Sequence, residues 1–177
     1  FAARLDKICA FQVVEAADRS VYAAVITGAG EKFFSAGADL KKFAGDKVHA
    51  RHFIACFGQA FEALMNARFV TIAAINGYAM GGGLECCLAC DLRIAEAHAQ
   101  MALPEPAVGL LPAGCGTQNL PGLVGEGWAK RMILCGERVD AGVHARDDGQ
   151  MAQWLGVVDV GPCGGVPGVG LEQSSDL

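Results

Sequence analysis

No apolar stretch in this 177-residue chain reaches the length of a membrane span, because Gly, Asp, Arg or Lys interrupts each one first. Positive charge is also scarce. Lys and Arg number 14 against 19 Asp and Glu, and the net charge of -5 argues against a broad basic surface for nucleic acid or an anionic membrane. Phe1 opens no charged-then-apolar secretory leader. Serine is limited to Ser20, Ser35, Ser174 and Ser175, and none stands in the G-x-S-x-G setting of an exposed hydrolase nucleophile. No Cys or His pair at suitable spacing follows Cys87-x-x-Cys90, so the four ligands of a zinc site are not assembled and no metal is expected. What remains as a partner is a small molecule or another copy of the chain.

What is present is apolar matter and glycine. With 53% hydrophobic positions the chain can bury one sizeable core, and its length suits one domain. Eight cysteines could signal a disulfide framework, but Cys86, Cys87 and Cys90 crowd one short segment instead of spreading as bridge partners do. They read as reduced thiols used as small core residues. That fits a cytoplasmic protein, or one of the mitochondrial matrix if the source is eukaryotic. His49, His52, His98 and His144 read as solvated or structural.

Val21 to Thr27 is β-branched, apolar and stopped by Gly28-Ala29-Gly30, which predicts a buried strand. Phe33 to Leu40 reads as a small-residue loop between hydrophobic anchors. From about Lys47 to Ala67, Phe53, Phe57, Phe61, Leu64 and Met65 recur at three- and four-residue steps, one face of a helix. Phe69 to Ile75 predicts a second buried strand, broken at Asn76-Gly77, and Gly81-Gly82-Gly83 leads into a compact helix from Leu84 to Cys90. Leu92 to Ala95 and Gln100 to Leu103 predict short strands, and Gly127 to Leu134 a further helix. This alternation points to an α/β architecture. The N-terminal residues, with Leu5, Ile8, Cys9 and Val13, read as a helix already under way. From Gly142 onward periodicity is lost, and no packed structure is assigned to the tail.

The glycine loops fail as nucleotide motifs. After Gly28-Ala29-Gly30 a dinucleotide fingerprint needs a third glycine where Phe33 stands, and Gly81-Gly82-Gly83 lacks the Lys-Ser or Lys-Thr of a Walker loop. Two loops of small residues able to expose backbone N–H groups are left, each followed by polar positions.

Here a resemblance becomes specific. Phe34-Ser35-Ala36-Gly37-Ala38-Asp39-Leu40 resembles the first oxyanion loop of the enoyl-CoA hydratase/isomerase (crotonase) family. Ala73 to Glu85, with Asn76-Gly77-Tyr78 and Gly81-Gly82-Gly83 inside it and continuing to Cys90-Asp91, resembles the second. Leu103-Pro104-Glu105-Pro106-Ala107-Val108-Gly109-Leu110-Leu111-Pro112 matches the third element, with Gly116 and Leu120 in their places. The likeness runs from about Val21 to Ala141.

The resemblance implies a spiral of repeated ββα units, as in the ClpP/crotonase fold, truncated at both ends. Residues 1–141 would form the catalytic core without its first strands. Residues 142–177 would replace the family's C-terminal helices with sequence that resembles a shifted frame. The activity implied is syn addition of water to a 2-enoyl-CoA thioester, with Glu85 and Glu105 as acid and base and the N–H groups of Ala36 and Gly82 as oxyanion donors. Substrate would lie along Ala36, Gly37, Ala38, Asp39, Leu40, Gly81 and Gly82, with Lys41 and Lys42 as candidates for its phosphates. No cofactor is implied, since coenzyme A belongs to the substrate; a homotrimer or dimer of trimers is. Isomerisation is the alternative within the family, and a non-catalytic acyl-CoA- or RNA-binding relative the alternative outside catalysis.

Overall fold

A computed structural model of the chain describes residues 20–40, 47–142 and 155–158. Its first strand, β1 (Ala23–Thr27), is followed by β2 (Phe33–Ser35) and then α1 (Lys47–Met65). The same order recurs as β3 (Val70–Ile75), β4 (Tyr78–Met80) and α2 (Gly82–Ala89). It begins again with β5 (Leu92–Glu96) and β6 (Gln100–Ala102), now followed by a one-turn 3-10 helix (Glu105–Val108), α3 (Gly116–Val124) and α4 (Glu126–Cys135). Two short strands, β7 (Val139–Asp140) and β8 (Gly156–Val158), complete the described elements.

Each unit sends its two strands to different sheets. The first strands build a parallel sheet in the order β1-β3-β5-β8, and the second strands build β2-β4-β6-β7. Parallel neighbours need a crossover, and the second strand plus helix of each unit supplies it. Register is continuous: Val25 pairs with Ile72, which pairs with Leu92. In the second sheet Ala79 pairs with Met101, and β7 joins β6 antiparallel through Met101 and Val139. The expected ββα spiral is the observed one.

Local chemistry explains the elements. Along β3 burial alternates, with Thr71, Ala73 and Ile75 turned into the core. In α1, Phe57, Phe61 and Leu64 form the buried stripe, and the two phenyl rings meet edge to face at 4.7 Å. Met65, expected on that stripe, is exposed at the last position of the helix, where its sulfur accepts from Asn119 Nδ2 at 3.3 Å; the side chain of Phe53 lies outside the described residues. Every residue of α2 is buried. A helix covered all round needs small apolar side chains, which accounts for its Gly, Cys and Ala content. Cys87 and Cys90 donate their thiols back to the carbonyls of Gly83 and Cys86, each at 3.3 Å. Cys86, Cys87, Cys90 and Cys115 are free and buried, as read from the sequence, while Cys135 is free and exposed.

Several elements differ from expectation. Phe33 to Ser35 is a strand, not part of a loop, and Tyr78 to Met80 is another; both sit against glycine-rich stretches that mask so short an apolar run. Helix α2 begins at Gly82, two residues before the expected start. Leu155 is buried and β8 pairs with β5 through Ile94 and Gly156, so the aperiodic stretch after Gly142 does contribute to a sheet. The helix read at the N-terminus lies outside the described residues. Among the described residues no helix is long and apolar enough to cross a membrane.

Candidate active site

The second strands end where the two small-residue loops begin. Strand β2 delivers Ala36 and Gly37, and β4 delivers Gly81 and Gly82 beside them. A Cβ placed on Gly37 would stand 2.7 Å from the Met80 carbonyl oxygen and 3.3 Å from Gly82 N, at a φ of +87°. The two loops therefore touch backbone to backbone, and only glycine fits at 37. Gly37 N donates to Ser35 Oγ at 3.3 Å. Gly82 opens α2, so its N–H has no intrahelical partner. Neither Ala36 N nor Gly82 N has an acceptor among the described residues.

Glu85 lies in the first turn of α2 yet serves another helix. The residue is only 3% exposed, and Oε1 accepts the main-chain N–H of Gly114 (2.8 Å), Cys115 (3.0 Å) and Gly116 (2.9 Å) at the start of α3. Three donors and a helix N-terminus hold the carboxylate at one oxygen. Cys115 also donates its thiol to the Glu85 carbonyl at 3.1 Å. Burial, with the Glu85 charge adding, pushes that thiol's pKa up to about 12 and keeps it a donor.

Glu105 begins the 3-10 turn between Pro104 and Pro106. The turn is closed by Gly109 in the left-handed region and by Leu110 N donating to the Glu105 carbonyl at 3.0 Å. One carboxylate oxygen, Oε1, lies 2.7 Å from where a Cβ on Gly81 would sit. The other, Oε2, is buried without a hydrogen-bond partner among the described residues. Burial raises the Glu105 carboxyl above its ordinary value, and the nearby Glu85 adds to the effect against the pull of its own N–H.

Glu85 and Glu105 line one cavity of about 350 Å³ together with Ala36, Gly37, Gly81 and Gly82. Residues 4–158 match the family model described as Enoyl-CoA hydratase/isomerase.

The chain belongs to the enoyl-CoA hydratase/isomerase (crotonase) family.

It is 40% identical over 125 residues to the short-chain-enoyl-CoA hydratase of Clostridium acetobutylicum, covering 70% of this chain and 48% of that protein. The structure of DspI from Pseudomonas aeruginosa superposes with a TM-score of 0.75 at 66% identity, covering 81% of this chain and 58% of that one. The enoyl-CoA hydratase structure from Bacillus anthracis gives a TM-score of 0.73 at 41% identity, covering 81% and 55%. The chain spans about half the length of the curated relatives it matches, 48% in the Clostridium case.

Of the crotonase positions read from the sequence, Ala36, Gly37, Ala38, Leu40, Gly81, Gly82, Glu85 and Glu105 all line the cavity. Asp39 is exposed and is not among the lining residues; Lys41 and Lys42 lie outside the described residues. The dipole of α2 does not account for the placement of Glu85, because its carboxylate is engaged at α3. Sequence reading missed the Gly114-Cys115-Gly116 amides that hold it. The signal was there in a small-residue run ahead of a helix, but α3 carries Pro121 internally and was not recognised.

Proposed function

We propose that this site hydrates the double bond of a 2-enoyl-CoA thioester. The observation that carries the reading is that two acids and two unengaged main-chain N–H groups line the same cavity. Water lies between the acids. Glu85 takes a proton from it as the oxygen bonds to the β-carbon, and the π electrons move toward the thioester carbonyl. Negative charge gathers on the thioester oxygen, where the N–H groups of Ala36 and Gly82 receive it. Glu105 then delivers its proton to the α-carbon on the same face, giving syn addition, and proton exchange with water resets the pair.

The geometry of each acid suits its part. Glu85, fixed by three amides, is a base that need not reorganise. Glu105, with an unpartnered buried oxygen and a raised carboxyl pKa, is suited to hold a proton and release it. Isomerisation needs only one shuttling carboxylate, at Glu105; the second acid in the cavity favours hydration. No cofactor is needed beyond the coenzyme A of the substrate, whose pantetheine the main chain of Ala36 to Leu40 would hold. The same reading includes a homotrimer and a reducing compartment, the latter in keeping with four buried free thiols.

Glu105→Gln tests the proposal. Crotonyl-CoA hydration should fall by about 100- to 10,000-fold while thioester binding stays near wild type. Unchanged turnover would refute the assignment. Tight thioester binding with no turnover in the wild-type protein would point to the non-catalytic reading.

A further inference from the structure

Helices α2 and α3 begin against each other, and each holds the other's first turn. Glu85, in the first turn of α2, gives its carboxylate to the amides that open α3. Cys115, the residue that caps α3, makes no side-chain cap bond to its own first turn. Its thiol instead donates to the Glu85 carbonyl at 3.1 Å, while its N–H donates to Glu85 Oε1 at 3.0 Å. One buried residue therefore grips the glutamate at both ends.

The neighbours of Cys115 have no room for a side chain. A Cβ on Gly114 would stand 2.8 Å from Glu85 Oε2 and 2.6 Å from the Phe61 ring, and one on Gly116 would stand 2.9 Å from Pro112 Cβ and 3.1 Å from Oε1. Bare glycines let the amides close on the carboxylate, and the one side chain of Gly114-Cys115-Gly116 is spent on the main chain of α2. Burial, with the Glu85 charge adding, keeps the thiol protonated and so a donor. Asn119, one turn further along α3, donates to the Leu88 carbonyl at 3.2 Å. The two helices thus stay tied when the thiol is removed, and the share of the thiol can be measured by itself.

From this two-ended contact we infer that Cys115 is a positioning residue of the reaction that acts through Glu85: its thiol fixes the main chain of the glutamate while three amides fix Oε1, leaving Oε2 to be presented to water. The inference rests on the hydration reading above for the role of Glu85. Every residue but proline would bring the N–H at position 115. What only a thiol or a hydroxyl adds is the second point of attachment, and two points stop the side chain from swinging about the first. The worth of one neutral hydrogen bond sets the scale of the effect.

Steady-state hydration of crotonyl-CoA by single and double variants of the full chain, with amide exchange followed by NMR, tests this. Cys115→Ala should lower kcat by about 3- to 10-fold at nearly unchanged KM, and Cys115→Ser, which keeps a donor, should recover most of the loss. Added to Glu85→Gln, Cys115→Ala should lower kcat no further. Cys87→Ala removes another buried thiol of α2, one that donates to the Gly83 carbonyl and not to Glu85, and it should leave kcat unchanged. An equal fall in both Glu85 backgrounds, an equal fall in Cys87→Ala, or no recovery with serine overturns the inference. Cys115→Val fills the space of the thiol without a donor and gives the same comparison if the alanine variant does not fold. Amide exchange reads the grip without chemistry: the N–H groups of Gly114 and Gly116 should exchange about 3- to 10-fold faster in Cys115→Ala, with those of β3 at the wild-type rate. Unchanged exchange at the two glycines, or an equal quickening across β3, also overturns it. A wild-type protein that binds the thioester without turnover refutes hydration, and the exchange rates then decide by themselves whether Cys115 holds Glu85.

Discussion

Glu85 and Glu105 share a cavity, yet folding treats their carboxylates in opposite ways. Glu85 is part of the scaffold, since removing it leaves three main-chain donors at α3 unmatched in a buried place. Glu85→Ala should therefore cost about 1–3 kcal/mol of stability as well as activity, measurable as a lower urea midpoint. Glu105 gains no such partner at Oε2. Its raised carboxyl pKa means that the folded state holds a proton that the unfolded chain has already released. That contribution is complete below the ordinary carboxyl value of 4.5 and is lost as pH rises through the folded value. Thermal melts of wild type and Glu105→Gln across this window should show a falling stability in wild type that the variant lacks. Identical slopes would mean that Glu105 is not held in the way described.

At the scale of elements, the loops and helix ends carry the constraints. An alanine at Gly37 meets the Met80 carbonyl and a strained φ together, so it should push the two loops apart. The expected loss is about 100- to 1,000-fold in turnover, comparable with losing one oxyanion donor, with far-UV circular dichroism retained. At the other end of α2, Arg93 donates to the carbonyls of Cys87 (3.3 Å), Cys90 (2.7 Å) and Asp91 (3.2 Å), tying the last turn of the helix to the residues that follow it. Arg93→Ala should lower stability by about 1–3 kcal/mol with little change in KM, which chemical denaturation and steady-state kinetics can check. Asp91 joins this end to β3 by accepting both the N–H and the hydroxyl of Thr71 at 2.8 Å. These two bonds hold its carboxyl below the usual range, with Arg93 adding to the effect. Its contribution to stability is present above the ordinary value of 3.8 and fades as pH falls through the lowered one.

For the whole molecule, one face of the first sheet leaves Val25, Leu92 and Ile94 exposed. The register places Val25 and Leu92 in one row with Ile72 between them. The proposed homotrimer predicts three times the chain mass by light scattering; a monomer across the concentration range would set it aside. Helix α1 was legible from the sequence because burial on one side leaves a repeat of 3.6 residues, and β3 because an apolar run stops at Asn76-Gly77, although only alternate residues of it are buried. Strands β2, β4 and β8 were not, since they lie in or beside glycine-rich stretches that read as loops, whereas β6, equally short, stands in an apolar run and was read. The three motifs in order identified the family and named both glutamates. What they could not express was that Glu85, on one helix, is gripped by the amides of another some thirty residues later, or that Glu105 faces the cavity with an unpartnered oxygen. Local order along the chain determined which residues bend, turn and repeat. The stacking of the two sheets and their helices decided which of them meet, because contacts between distant segments depend on how the units pack and leave no local pattern to read.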